Sequence, residues 1–164
     1  MNESKIYSCC FLGEISGELS DEVLDKLFFF INDLVIKGYK KFIFGTKTNF
    51  DFICLAIVNE LKTIYSDICI VAYVRSWEGY NLTKYKDIVA KIKKCDLDLV
   101  CTVDSEVSIK TDFTERSYFE RNIAIIDSSD LCVFYFDNRN DFLHIFKKEY
   151  DYAYRSNKNI INIL

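Results

Sequence analysis

Proline is absent from the 164 residues, histidine occurs once, and glycine and arginine occur five times each. Each shortage excludes something. Without proline the chain lacks the strongest marker of element boundaries, so ends must be read from caps and glycines. A single histidine, His144, rules out a His-rich metal site, and no Cys/His ligand spacing replaces it. That histidine falls inside a helical pattern and no G-x-S-x-G is present, which removes a Ser/His hydrolase. No long uninterrupted apolar run is available to cross a membrane, and Met1 to Lys5 leads into a strand-like segment with no signal-peptide pattern. A soluble, cytoplasmic protein is expected. The net charge of −4 lacks the basic excess of a duplex nucleic-acid footprint.

What is present is a dense apolar chain: half the residues are hydrophobic and 16% aromatic, which excludes disorder and suits one domain over 1–164. Seven cysteines form no C-x-x-C pair and lie mostly in apolar runs, the pattern of reduced, structural thiols. Strand-like runs alternate with amphipathic ones. Strands are expected at 5–12, 41–44, 68–74, 97–103, 131–136 and 159–164. Helices are expected at 21–37, 51–65, 83–94, 113–128 and 142–156, and 104–112 reads as an exposed loop. Ser20 suits an N-cap, with Asp21 and Glu22 in the favourable first turn and Gly38 as the stop. Short connections between strands and helices predict an α/β fold: a mostly parallel six-stranded sheet with helices on both faces.

Ligands of such sheets bind outside the carboxyl ends of the strands. Arginine differs from lysine in that its planar fork grips phosphate or carboxylate at two points. Sixteen lysines are spread over predicted helix surfaces, whereas Arg75, Arg116, Arg121 and Arg139 fall at strand ends or on one helix. Gly13 and Gly45 follow strands one and two, where a tight turn lets backbone N–H groups approach an anion. Thr46 and Asp51 follow Gly45; Asp51 is either a ligand contact or the cap of its own helix. Arg75 and Arg139 are candidate phosphate holders. Trp77 and Tyr80 are either stacking platforms for a base, or a loop lid or dimer surface. No G-x-G-x-x-G and no G-x-x-x-x-G-K-S/T is present, so no standard dinucleotide or Walker site is indicated.

The run Tyr118-Phe119-Glu120-Arg121-Asn122 to Asp127, then Ser129-Asp130 and an apolar strand, resembles the SLOG superfamily. That group is Rossmann-like and includes the LOG phosphoribohydrolases and the DprA/Smf proteins. The YpsA-like branch is the nearest match, because Gly38-Tyr39, Phe42 to Gly45 and Phe50-Asp51 resemble its "strand, G-x-x-x-G-F-D, helix" segment. The resemblance implies a Rossmann-like three-layer sandwich and a nucleotide-like ligand across Gly45, Asp51, Arg121 and Asn122. The chain also departs from the pattern. Asn49 stands at the second glycine, a tolerable replacement because asparagine can adopt a left-handed conformation. The Gly-Gly-Thr loop after strand five is replaced by Asn138-Arg139-Asn140, and the LOG catalytic signature is missing.

A non-catalytic nucleotide or nucleotide-derivative binding protein, acting as sensor or sequestering domain, is therefore expected, with neither cofactor nor metal. A hydrolase of the N-glycosidic or phosphate bond, using Glu14, Asp51, Glu120 or Asp137, is the alternative. A protein-interaction module with a vestigial pocket, in which Arg121-Asn122 is a structural clamp, is another. Single-stranded nucleic acid ranks last given the acidic charge. Open sheet edges and surface aromatics favour a homodimer.

Overall fold

The computed structural model of the chain describes residues 5–15, 20–78, 103–111, 114, 116–135 and 143–163. The expected helix at 83–94, residues 97–102, the Tyr80 position and the Arg139 loop lie outside the described residues, as do Ser16 and Gly17. Strands β1 (Tyr7–Gly13), β2 (Tyr39–Phe44), β3 (Cys69–Arg75), β4 (Ser105–Ile109), β5 (Leu131–Tyr135) and β6 (Asn159–Asn162) pair in the order β4-β3-β2-β1-β5-β6. Every neighbouring pair is parallel.

Four helices are described: α1 (Asp21–Ile36), α2 (Asn49–Lys62), α3 (Arg116–Asp127) and α4 (Leu143–Arg155). Side-chain alternation along β1 sorts them into layers. Cys9 and Phe11 pack in one core with Leu27, Ile31 and Leu34 of α1 and most of α2. Cys10 and Leu12 pack in a second core with Ile125 and Ile126 of α3 and Phe146 and Ala153 of α4. A strand buried on both faces reads as a continuous apolar run, as β1 does. The first core is held by rings: Phe11 stacks on Phe44 with centroids 5.4 Å apart and meets Phe50 edge-on at 6.3 Å. The result is an α/β, Rossmann-like three-layer arrangement.

One expectation fails. The segment expected to be a loop, 104–112, holds β4, whose residues pair with Val71 to Arg75. Among the described residues it is an edge strand, with Val107 and Ile109 packed inward and Ser105, Glu106 and Ser108 exposed. Half-polar edges lose the apolar-run signal that marks interior strands. Asp104 begins it: its carboxylate accepts the Ile70 N–H at 2.7 Å and pairs with Lys62.

The ends of α1 and α2 obey local capping rules. Ser20 Oγ accepts the Val23 N–H, and Gly38 lies just past α1 with φ of 104°, where a Cβ would be strained. Helix α2 starts two residues before the expected Asp51, with Thr48 as N-cap. Thr48 and Asp51 form a reciprocal capping box. The five described cysteines are free, and burial raises the Cys9 and Cys54 thiols, which keeps them protonated hydrophobes.

Candidate functional site

The chain runs outward from β1 to β4, then returns to lay β5 on the other side of β1. Strand order thus reverses between β1 and β5, which makes the carboxyl ends of these strands the natural ligand crevice. A cleft of about 830 Å³ lies at this end, with walls from the β1 and β2 turns, α3 and α4. Its volume falls in the ordinary range of ligand pockets, roughly 300–1,000 Å³.

The α3 wall is organised by Arg121, only 3% exposed. One terminal nitrogen donates to the Gly45 carbonyl at 2.5 Å and the other to Asn122 Oδ1 at 3.1 Å. Asn122 Nδ2 in turn donates to Glu149 Oε1 on α4 at 3.2 Å. This buried chain ties the β2 turn to both helices of the second layer. It is unfinished at both ends: Arg121 Nε and Glu149 Oε2 are buried without a hydrogen-bond partner. Among the described residues only Thr111 Oγ1 shares that condition. Burial lowers the Arg121 pKa against the opposing pull of Asp51 and Glu78, and raises that of Glu149 against the bond from Asn122.

Gly45 answers to this arginine. A Cβ there would lie 2.7 Å from one Arg121 terminal nitrogen and 3.0 Å from its central carbon. The close approach read from the sequence is therefore made by the protein's own guanidinium. Gly13 is needed for a different neighbour, since a Cβ would sit 2.3 Å from the Tyr135 carbonyl oxygen. The left-handed residue of the β2 turn is Thr46, with φ of 51°, and not Asn49, which is the first helical residue of α2. A non-glycine residue at positive φ stores strain of about 1–3 kcal/mol, a cost seen mostly at turns and functional sites.

Asp51, 4% exposed, is the N3 partner of the capping box. Its Oδ2 accepts the N–H groups of Lys47 and Thr48, each at 2.9 Å. Burial raises its pKa, while Arg121 and those N–H bonds pull it down. Glu14 Oε1 accepts from Ile15 N–H at 2.9 Å and from Asn49 N–H at 3.3 Å. The helix N-terminus is thereby satisfied by carboxylates from the chain.

Arg75 ends β3 and is equally engaged. Glu78 takes its Nε and one terminal nitrogen at 2.9 and 2.7 Å, and Ser117 Oγ and the Tyr118 hydroxyl accept the rest. Burial would raise Glu78, but Arg75 outweighs it and holds the carboxyl below its ordinary range. The Tyr118 ring carries Lys47 at 3.5 Å and Arg75 at 3.6 Å, with Arg121 at 5.2 Å. Trp77, 45% exposed, lies against Arg75 at 3.9 Å.

Of the candidate residues, Asp51, Arg121 and Asn122 line the cleft, Gly45 supports Arg121 from behind, Thr46 shapes the same turn, and Arg75 and Trp77 stand at the adjacent β3 end. Gly13 packs under β5, and Arg139 lies outside the described residues. Sequence reasoning missed Glu149. Its signal was spacing: Phe146, Glu149 and Ala153 share the inner face of α4, so a carboxylate was placed among core positions. No cluster of His, Cys, Asp or Glu able to hold a metal occurs among the described residues, and no helix there is long and apolar enough to cross a membrane.

The fold and cleft define a Rossmann-like α/β protein with a crevice of mixed polar and aromatic lining at the carboxyl ends of β1 and β2. The chain matches no protein-family model and no curated protein sequence.

Proposed function

We propose that the protein is a non-catalytic nucleotide or nucleotide-derivative binding domain of SLOG-like character, acting as a sensor or by sequestering its ligand. One observation carries this reading: Arg121 and Glu149, which both line the cleft, each keep one buried polar atom without a hydrogen-bond partner. A buried polar group left unpaired costs about 1–3 kcal/mol, which a ligand with matching groups would relieve. Tyr118, Phe119 and Phe146 give the same cleft aromatic surface, and Lys47, Arg116 and Lys148 give it positive charge. The SLOG-like motif around Arg121-Asn122 points the same way.

The hydrolase alternative needs two carboxyl groups working together. Asp51 and Glu14 both line the cleft but accept backbone N–H groups at and before the start of α2, which leaves Glu149 as the cleft carboxylate with an unpartnered oxygen. Chromatography of nucleoside monophosphates after incubation should return them unchanged. The same reading takes the protein to be cytoplasmic, where its buried thiols stay reduced. It also takes it to form a homodimer through an open sheet edge at β4 or β6.

A thermal-shift screen of nucleotides, cyclic dinucleotides and ADP-ribose derivatives tests the function. A stabilising ligand is expected in the micromolar range, and Arg121→Ala should abolish its effect. A screen in which no such compound shifts the melting transition refutes the reading.

A further inference from the structure

A Rossmann-like fold ordinarily offers the N–H groups of a helix N-terminus to a phosphate. In this chain those groups are taken. Asp51 Oδ2 holds the Lys47 and Thr48 N–H groups at 2.9 Å, Thr48 Oγ1 holds that of Asp51 at 3.1 Å, and Glu14 holds that of Asn49. A phosphate placed there would meet two carboxylates and lose the backbone donors. Arg75 offers no alternative, because Glu78, Ser117 and Tyr118 already accept from it.

Two kinds of group remain for a ligand. The buried residues Arg121 and Glu149 line the cleft, and Arg121 Nε and Glu149 Oε2 have no hydrogen-bond partner. A guanidinium nitrogen only donates and an ionised carboxylate only accepts, so the complementary ligand surface must carry both an acceptor and a donor. A fully ionised phosphate brings acceptors alone and cannot donate to the Glu149 oxygen. A ribose diol, or the N–H and C=O edge of a base, brings both. Arg116 and Lys148, both exposed, belong to the same cleft and supply cations where water still reaches.

We infer that a nucleotide enters this cleft inverted relative to the usual Rossmann pose, with its uncharged polar edge inward at Arg121 and Glu149 and its phosphate outward at Arg116 and Lys148. The inference rests on the nucleotide-binding reading and adds to it the orientation and the groups read. The ligand is selected first by its nucleoside part, and the phosphate adds affinity without fixing the pose.

Calorimetric titration at low salt with adenosine, guanosine, their 5′-monophosphates and inorganic phosphate tests this. A nucleoside should bind alone, its monophosphate should bind about tenfold tighter, and inorganic phosphate should not compete. Arg116→Ala/Lys148→Ala should remove the monophosphate's advantage, so that the two ligands bind alike; both sites are exposed, so the fold survives. Glu149→Ala should weaken nucleoside and monophosphate together by about tenfold or more. The pose is overturned if the double variant keeps the monophosphate's advantage, or if inorganic phosphate competes and Asp51→Asn strengthens it. Absence of binding by every nucleoside and nucleotide overturns the functional reading itself, and the pose with it.

Discussion

Gly45→Ala probes whether the β2 turn is built around Arg121. The backbone at Gly45 is not in the left-handed region, so the substitution is opposed by contact alone. The new methyl would lie 2.7 Å from a guanidinium nitrogen that is buried and already bonded to Asn122. Arg121 must retreat, and its 2.5 Å bond to the Gly45 carbonyl lengthens or breaks. Overpacking of this kind costs about 1–3 kcal/mol, and loss of a charged hydrogen bond about 1.5–3 kcal/mol. A destabilisation of about 3 kcal/mol is expected, a large share of a domain's usual stability of about 5–15 kcal/mol. Urea denaturation of Gly45→Ala, Arg121→Ala and the double variant isolates the coupling. With the guanidinium gone the methyl has room, so Gly45→Ala should cost less than about 1 kcal/mol in that background, a coupling of about 2 kcal/mol or more. Additive costs would refute the reasoning, since Gly45 would then serve something other than Arg121.

The capping box at α2 should yield to Thr48→Ala with a loss of about 1 kcal/mol, read as a lower urea midpoint at unchanged slope. Asp130 accepts the Ser8 N–H at 2.9 Å and its hydroxyl at 3.2 Å, and pairs with Lys5 at 3.3 Å; together these outweigh burial and lower its pKa. A lowered carboxylate stabilises the fold above its unfolded pKa of about 3.9 and loses that contribution as pH falls through the folded value. Asp130→Asn should therefore destabilise at pH 7, with the difference from wild type closing below about pH 4 in a stability–pH series. Burial gives Asp51 and Glu149 the opposite sign. Their ionisation works against folding, and this penalty is absent below about pH 4 and grows as pH rises through their raised values. Glu149→Gln should accordingly be no less stable than wild type at pH 8, measured by the same denaturation.

The architecture was readable because its interior is unusually plain in pattern. Strands such as Cys9 to Leu12 and Leu131 to Phe134 are apolar at every position, as burial on both faces demands. Ser20 and Gly38 marked the ends of α1 by chemistry that acts within one turn. The edge strand Ser105–Ile109 was lost because only Val107 and Ile109 face the core. The site was legible in its residues but not in its wiring. Arg75 and Arg121 do gather at one end of the sheet, yet the chain supplies carbonyl and carboxylate partners that no local pattern announces. Glu78 lies three residues from Arg75, whereas Gly45 and Arg121 meet across 76 positions. Likewise Asp51 had two open roles in the sequence, and its spacing from Thr48 settles the capping role only once α2 is known to begin at Asn49.

The most direct test of the central claim is calorimetric titration of the wild-type chain and its Arg121→Ala and Glu149→Ala variants with the nucleotide that stabilises it most. The account predicts micromolar, one-to-one binding to the wild type, with heat lost in both variants while circular dichroism shows each still folded. Unchanged affinity in folded Arg121→Ala and Glu149→Ala proteins would contradict it, because the ligand would then be held somewhere other than the cleft at the carboxyl ends of β1 and β2.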